Sequence, residues 1–287
     1  TRGCIKHVPH THLCTHLLTG SRDPLTLLAL SRALIVSVSS FYPDVDLSAR
    51  PGTARDTQKL HRALCSRGFS TRILNDPDAA EIHEAFKSES EQAVDGCFVG
   101  VISSHGEEGL VFGADGRRVQ LSKIYSYFGG PKMAAKNKLF LIQACRGHLL
   151  DDGVELETDS VGCEDSGLSE CASVPPNTVV MYATAPGYGA FMNWTGSIFL
   201  QTFCTFLEDG GAELEVTHLL TRISHHIAHH FSARGGKLQG KKEMPCIISR
   251  LTTDFYPFID SGKNKSFRLL ATELLDRPYT IRKNSIS

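Results

Sequence analysis

The chain has 287 residues, of which 41% are hydrophobic, so it can bury one large core or two smaller ones. Thirty lysines and arginines nearly balance 31 acidic residues, and the formal charge of -1 lacks the basic excess with which proteins bind phosphate backbones. Composition therefore excludes disorder along the whole length and argues against nucleic acid as the main partner.

Strand-like and helix-like segments alternate from about residue 33 onward, which predicts an α/β protein with a largely parallel sheet. The first strand, ALIVSV, precedes a helix that we expect Thr53 to cap and Gly68 to end. The pattern then predicts a strand at 69–74, a helix around 82–86, a strand at 97–103, a short helix at 121–128 and a strand at 138–143.

Two reactive side chains directly follow predicted strands. His105 comes just after the strand at 97–103, and Cys145 follows the strand at 138–143. Open α/β sheets bind ligands in the crevice at the carboxyl ends of their strands. We therefore expect the histidine and the cysteine to face each other there.

Residues 151–177 interrupt the pattern with eight acidic residues and no lysine or arginine, which predicts an exposed, flexible connection. A strand at 178–184, helices at 197–207 and 215–231, the second ended by Gly235 and Gly236, and a strand at 245–251 follow. We divide the chain into an unpatterned N-terminal segment (1–30), a larger part (31–150), an acidic linker (151–177), a smaller part (178–260) and a C-terminal extension (261–287).

Cysteine usage and hydropathy predict the compartment. Nine scattered cysteines, an odd number, fit no disulfide framework. The apolar runs are far shorter than the roughly 18 residues that span a bilayer, and no secretory leader is visible. We expect a soluble cytoplasmic protein without a membrane partner. Because the chain begins with Thr1 rather than Met, we also expect a fragment or a processed form.

A histidine and a cysteine in separate loops are weak evidence for chemistry on their own. A cysteine peptidase needs an imidazole beside its thiol and amide N–H donors for the oxyanion. Gly106 lets the backbone turn so that its N–H, together with that of Cys145, can point into the crevice. Longer motifs decide between chemistry and coincidence.

Two such motifs surround these residues. SSHGEEG (103–109) and FLIQACRG (140–147) closely resemble the caspase family, and the second fits the pattern Q-A-C-[RQG]-G. The histidine lies 40 residues before the cysteine rather than roughly 50, which we attribute to shortened loops. The resemblance covers about residues 31–258 and includes SARPGT (48–53), MYATAPGY (181–188), GSIFLQ (196–201) and EMPCIISRLT (243–252), in the order found in executioner caspases.

The resemblance implies a caspase-like three-layer α/β fold, with a mostly parallel six-stranded sheet and helices on both faces. It implies hydrolysis of peptide bonds after aspartate, in apoptosis or related proteolytic signalling, by a homodimer of large-plus-small subunit pairs. No metal or cofactor is implied. The edge strand within PCIISRL would form the dimer contact.

Residue by residue, the resemblance makes Cys145 the nucleophile and His105 the general acid and base. Gly106 and Cys145 would supply the backbone donors for the oxyanion.

The resemblance also defines a specificity pocket. Arg50 and Gln143 would hold the substrate aspartate, Ser104 would line the same pocket, and Phe191 would shape a neighbouring apolar subsite. A guanidinium suits this role because it pairs with a carboxylate through two hydrogen bonds.

One position departs from the family. A second pocket arginine is expected where this chain has Met192, and no lysine or arginine lies between Arg146 and Arg222 to replace it. Losing one partner of a buried carboxylate costs roughly 2–5 kcal/mol, so efficiency would fall by about 30-fold to several-thousand-fold. The rival hypothesis is therefore a weak or inactive homologue that acts as a regulatory dimer partner.

The acidic linker contains ELETDS (155–160), which resembles the activation site between the subunits of executioner caspases. We predict cleavage between Asp159 and Ser160 by an upstream initiator caspase, because a protease can reach extended, exposed backbone. An ordinary acidic loop is the alternative.

Histidines raise a third possibility, a metal-binding module. His225, His226, His229 and His230 form two i,i+4 pairs, a spacing that can ligate zinc. No third ligand is evident, so a solvated polar face is the favoured interpretation. A Cys/His tract between Cys4 and His16 matches no specific site.

Overall fold

The computed structural model describes residues 12–13, 31–151 and 173–259. Seven strands form its main sheet: β1 (His12–Leu13), β2 (Arg32–Ser37), β3 (Ser70–Asn75), β4 (Phe98–Ser103), β8 (Lys138–Gln143), β9 (Thr178–Tyr182) and β12 (Cys246–Ser249). Their order is β1-β3-β2-β4-β8-β9-β12. The five central strands are parallel, and the edge strands β1 and β12 pair antiparallel with β3 and β9.

Helices cover both faces of this sheet, as predicted. They are α1 (Thr53–Ser66), α2 (Ala79–Ser90), α3 (Leu121–Tyr127), α4 (Ile198–Glu208) and α5 (Val216–His230). Alternate residues of β2 explain the arrangement: Ala33 and Ile35 pack against α1, α4 and α5, whereas Leu34 and Val36 pack against α2 and α3. Central strands buried on both faces read as continuous apolar runs, which is why they were recognisable in the sequence.

Two smaller sheets lie near the ends of β4 and β9. The strands β5 (Gly106–Glu107), β6 (Leu110–Phe112) and β7 (Arg118–Gln120) form an antiparallel meander directly after His105. The hairpin of β10 (Met192–Asn193) and β11 (Gly196–Ser197) lies between β9 and α4.

Some details differ from the sequence predictions. Beyond the six expected strands, the sheet gains the two-residue β1 within the segment interpreted as unpatterned. Thr53 is the first residue of α1 rather than its cap, because Gly52 occupies the cap position without a side-chain bond. Gly68 ends this helix with a φ of 79°, as predicted. The helix α5 ends instead when Phe231 turns extended, ahead of Gly235.

The predicted linker cleavage site at Asp159 and Ser160, the C-terminal extension and most of the N-terminal segment lie outside the described residues. Within the described part of the chain, no helix has the length and apolar character needed to cross a membrane.

Candidate active site

The register of β4 and β8 brings the two reactive residues together. These strands pair in parallel up to Ser103 opposite Gln143, and His105 and Cys145 each lie two residues beyond that pair. Both side chains are half-buried and line one cleft of about 220 Å³. The sequence prediction that they share a crevice at the carboxyl end of the sheet agrees with this geometry.

The His105 ring is held from two sides. Its Nε2 lies 2.8 Å from the carbonyl oxygen of Ser48, and its ring stacks on Phe41 with centroids 5.3 Å apart. A carbonyl only accepts, so Nε2 carries the proton and Nδ1 of the neutral ring keeps its lone pair. Burial lowers the pKa of His105, and the positive charge of Arg50 lowers it further, while the Ser48 bond opposes this. The imidazole can therefore accept a proton at neutral pH.

The sulfur of Cys145 contacts the chain that follows β9. The N–H of Ala190 lies 3.4 Å from Sγ, and the carbonyl oxygen of Ala190 lies 3.8 Å from it. On the other side, a Cβ at Gly106 would lie 2.9 Å from the Ala144 side chain and 3.0 Å from the Cys145 carbonyl oxygen. Only glycine allows the backbone after the histidine to approach the nucleophile this closely.

Arg50 is the cation of the pocket. Its side chain is only 7% exposed, and its guanidinium donates to the Val38 carbonyl at 2.6 Å and to the Ser103 hydroxyl at 3.0 Å. Burial lowers the pKa of Arg50 to about 10, which still leaves it charged at neutral pH. The bonds hold the fork rigidly at the cleft wall, where it can meet a substrate carboxylate.

Two predicted pocket residues lie beside Arg50. Gln143 is buried, and in the described structure its Oε1 has no hydrogen-bond partner. Ser104 is also buried and donates its hydroxyl to the Phe112 carbonyl at 2.6 Å. An unpaired buried amide oxygen costs stability, and because it only accepts hydrogen bonds it suits a substrate N–H and not the aspartate carboxylate.

Met192 lines the cleft where the resemblance expects an arginine. Its Sδ lies 3.5 Å from the hydroxyl of Thr53, and its backbone pairs with Ser197 in the β10–β11 hairpin. Among the described residues lining the cleft, Arg50 and His105 alone have basic side chains. The pocket thus offers one permanent cation to an acidic substrate side chain.

Phe191 lies beside the cleft and contacts Glu243, a residue for which the sequence motifs predict no role. Its ring packs on Phe231 with centroids 5.3 Å apart, and its N–H donates to Glu243 Oε2 at 2.6 Å. Glu243 is 1% exposed, and none of the described groups bonds its Oε1. Burial raises the pKa of Glu243 to about 8, opposed by the Phe191 bond. In the sequence, Glu243 is a single acidic residue before an apolar strand, and this pattern does not predict its burial.

Arg146, the residue after the nucleophile, anchors its loop. The guanidinium is buried, bonds Glu108 Oε1 at 2.6 Å and lies over the Tyr182 ring at 4.1 Å from its centroid. The motifs FLIQACRG and SARPGT contain Arg146 and Ser48, but their pattern predicts no role for either residue. Their function depends on contacts with distant residues that spacing alone does not reveal.

Comparison with known proteins gives matches that cover most of the chain. The family model for the caspase domain matches residues 30–256. Caspase-3 of Mesocricetus auratus is 37% identical over 231 residues, which cover 78% of this chain and 82% of the relative. Caspase-3 of Bos taurus and of Mus musculus are each 35% identical over the same shares. The chain belongs to the caspase family. This membership confirms the resemblance and the fold class, and it assigns the protein to a family of cysteine peptidases of apoptotic proteolysis.

The structure collects most predicted site residues of this caspase into one place. Arg50, Ser104, His105, Gln143 and Cys145 line the cleft, whereas Phe191 lies next to it. The described residues include no group of three or more His, Cys, Asp or Glu side chains arranged to hold a metal ion.

Glu243 yields a pH-dependent prediction. Its pKa is raised in the folded state, so its carboxyl ionises in the unfolded chain first, and the unfolding free energy falls as pH rises from about 4.5 to about 8. We expect Glu243→Gln to remove this loss, on the order of a few kcal/mol, and to be more stable than wild type at pH 9 with a smaller difference near pH 5. Urea denaturation at pH 5, 7 and 9 measures this.

Glu84→Gln, an exposed change on α2, is the matched control and should follow wild type. An unchanged pH slope in Glu243→Gln would contradict the assignment.

Proposed function

We propose that this caspase is a cysteine endopeptidase that cleaves peptide bonds after aspartate. The observation that carries the proposal is the shared cleft: His105, Cys145 and the buried cation of Arg50 line the same walls. Peptidase chemistry needs the first two within reach of one carbonyl, and aspartate selectivity needs the third beside them.

The reaction proceeds in two steps. As Cys145 Sγ attacks the substrate carbonyl carbon, its proton passes to His105 and the carbonyl electrons move onto oxygen. The N–H groups of Gly106 and Cys145 stabilise this oxyanion. Collapse breaks the C–N bond, and the departing amine takes the proton from His105.

The thioester that remains on Cys145 is hydrolysed by water. The water gives one proton to His105 as its oxygen adds to the thioester carbon, and the same N–H donors hold the second oxyanion. Expulsion of the sulfur, which recovers the proton, releases the carboxylic acid product. The Ser48 carbonyl keeps the ring oriented throughout.

Substrate recognition rests on Arg50 and Gln143, with Ser104 behind them. The guanidinium of Arg50 pairs with the carboxylate of the bound substrate aspartate, and the amide nitrogen of Gln143 donates a hydrogen bond to the same carboxylate. Met192 adds no charge, so we propose weaker binding of aspartate than two arginines would give. Phe191 offers an apolar wall to the neighbouring substrate side chain.

A second candidate function follows from Met192. If one arginine binds aspartate too weakly for useful turnover, the chain would act as a regulatory partner in a caspase dimer. Both hypotheses use the same dimer contact, for which we propose β12. It is an edge strand, and its half-buried Cys246, Ile247 and Ile248 leave apolar surface for a second copy.

We further propose that the protein works in the cytoplasm on protein substrates with exposed aspartates. Activation would come from an initiator caspase that cuts the acidic linker after Asp159. The composition of residues 151–177 supports this, as does their position between β8 and β9, the strands that lead to Cys145 and to Ala190 of the cleft.

Turnover of a fluorogenic peptide ending in aspartate separates the two candidates. We expect activity in wild type, none in Cys145→Ala, and a kcat/KM raised about 30-fold or more in Met192→Arg, because a second cation restores the missing carboxylate contact. Trp194→Arg adds the same charge at the exposed tip of the hairpin and should change little.

Equal rates in wild type and Cys145→Ala would refute the peptidase proposal. Activity that appears only in Met192→Arg would instead favour the hypothesis of a regulatory partner. The nucleophile would then be competent, and the wild-type pocket would bind aspartate too weakly for turnover.

The activation proposal predicts one defined cut. An initiator caspase should split the wild-type chain into two fragments, the second beginning at Ser160, with a rise in peptidase activity. Asp159→Ala should remain intact and show no rise, whereas Asp165→Ala, in the same acidic linker, should be processed normally. Gel electrophoresis with N-terminal sequencing measures this, and normal activation of Asp159→Ala would rule the site out.

A further inference from the structure

Four imidazoles crowd the C-terminal end of α5, far along the chain from the active-site motifs. His225, His229 and His230 are exposed and His226 is half-buried, while Ile223 and Ile227 of the same helix enter the core. The rings form two i,i+4 pairs. Their centroids lie 4.5 Å apart for His225 and His229, and 4.8 Å apart for His226 and His230.

These spacings fit chelation of one metal ion. Two imidazoles bound to zinc, with Zn–N of about 2.0–2.1 Å and an N–Zn–N angle between about 90° and about 109°, have ring centroids about 4.5–5.2 Å apart. Both centroid distances fall within that range. The His226 and His230 rings are stacked with their planes 19° apart, so binding of one ion requires a ring to rotate until both nitrogens face it. The sequence alone gave the i,i+4 spacing but not the rotamers that bring the rings this close.

The hydrogen bonding of one pair, His226 and His230, also suits a metal ligand. His230 Nδ1 lies 3.2 Å from the carbonyl oxygen of His226. The carbonyl accepts, so Nδ1 carries the proton and the lone pair of the neutral ring is on Nε2. Histidine ligands of metal sites commonly donate their second nitrogen to a carbonyl in this way, which fixes the tautomer.

The surroundings also favour a cation. Both rings lie in the last turns of α5, where the unpaired carbonyls give the helix its negative end. The exposed Arg222, one turn earlier, opposes this in part. The His226 ring also packs edge-on against Phe206, with centroids 5.8 Å apart, which restricts its movement.

We propose that His226 and His230 bind one divalent transition-metal ion at the C-terminal end of α5. In the described structure no third protein ligand completes the site, so water fills the other positions. Imidazole-only coordination selects Zn²⁺, Ni²⁺ or Cu²⁺ over Mg²⁺ and Ca²⁺. None of the four histidines lines the cleft, and the proposed site does not depend on peptidase activity.

Titration calorimetry with NiCl₂ and with ZnCl₂ tests the proposal. The full chain should carry Cys145→Ala, so that the active-site thiol does not compete as a ligand. We expect His226→Gln/His230→Gln to lose one equivalent of bound metal or to weaken its binding by about tenfold or more. The same metal should raise the Tm of the parent but not that of this variant, because an ion bound only to the folded state stabilises it.

Two controls make the outcome decisive. His225→Gln/His229→Gln removes the same number of imidazoles from the same turns, and His218→Gln removes an exposed one near the start of α5; both should keep the metal. Unchanged stoichiometry and affinity in His226→Gln/His230→Gln would overturn the proposal. A loss confined to His225→Gln/His229→Gln would overturn it too, since the other pair would then be the ligand.

Discussion

The parallel pairing of β4 with β8 is the constraint on which the site depends. The two strands end in register, at Ser103 and Gln143, so the same two-residue extension of each delivers His105 and Cys145 to one edge of the sheet. A slip by one residue would turn every side chain of a strand to the other face. The buried apolar residues on both faces of β4 and β8 prevent such a slip, and core packing thereby fixes the catalytic geometry.

Electrostatics gives the cleft one neutral base, His105, for proton transfer and one cation, Arg50, for binding a carboxylate. Burial lowers the pKa of His105 and so favours the neutral imidazole. Burial also lowers the pKa of Arg50, but only to about 10, so the guanidinium stays charged at neutral pH. One wall can therefore move a proton while the other attracts a carboxylate. In the function that we propose, Met192 weakens only the binding of the carboxylate, so mechanism and specificity can be tested separately.

Sequence patterns predicted what local chemistry determines. Continuous apolar runs identified the central strands, Gly68 identified a helix end, and two short motifs identified the reactive pair. The patterns did not predict details that depend on residues distant in the sequence. The hydrogen bond from His105 to Ser48, for example, joins residues 57 positions apart. The start of α1 was also predicted wrongly, because Gly52 occupies the cap position expected of Thr53. Glu243 was invisible for the same reason, because its burial beside Phe191 is created only by the folded chain.

Covalent labelling with a peptidyl fluoromethyl ketone ending in aspartate tests the central claim most directly. If one trough joins the thiol, the imidazole and the arginine, peptide mapping will find the adduct on Cys145, and His105→Ala will slow its formation by about 100-fold or more. Labelling at an undiminished rate without His105, or an adduct on another half-buried thiol such as Cys246, would contradict the account.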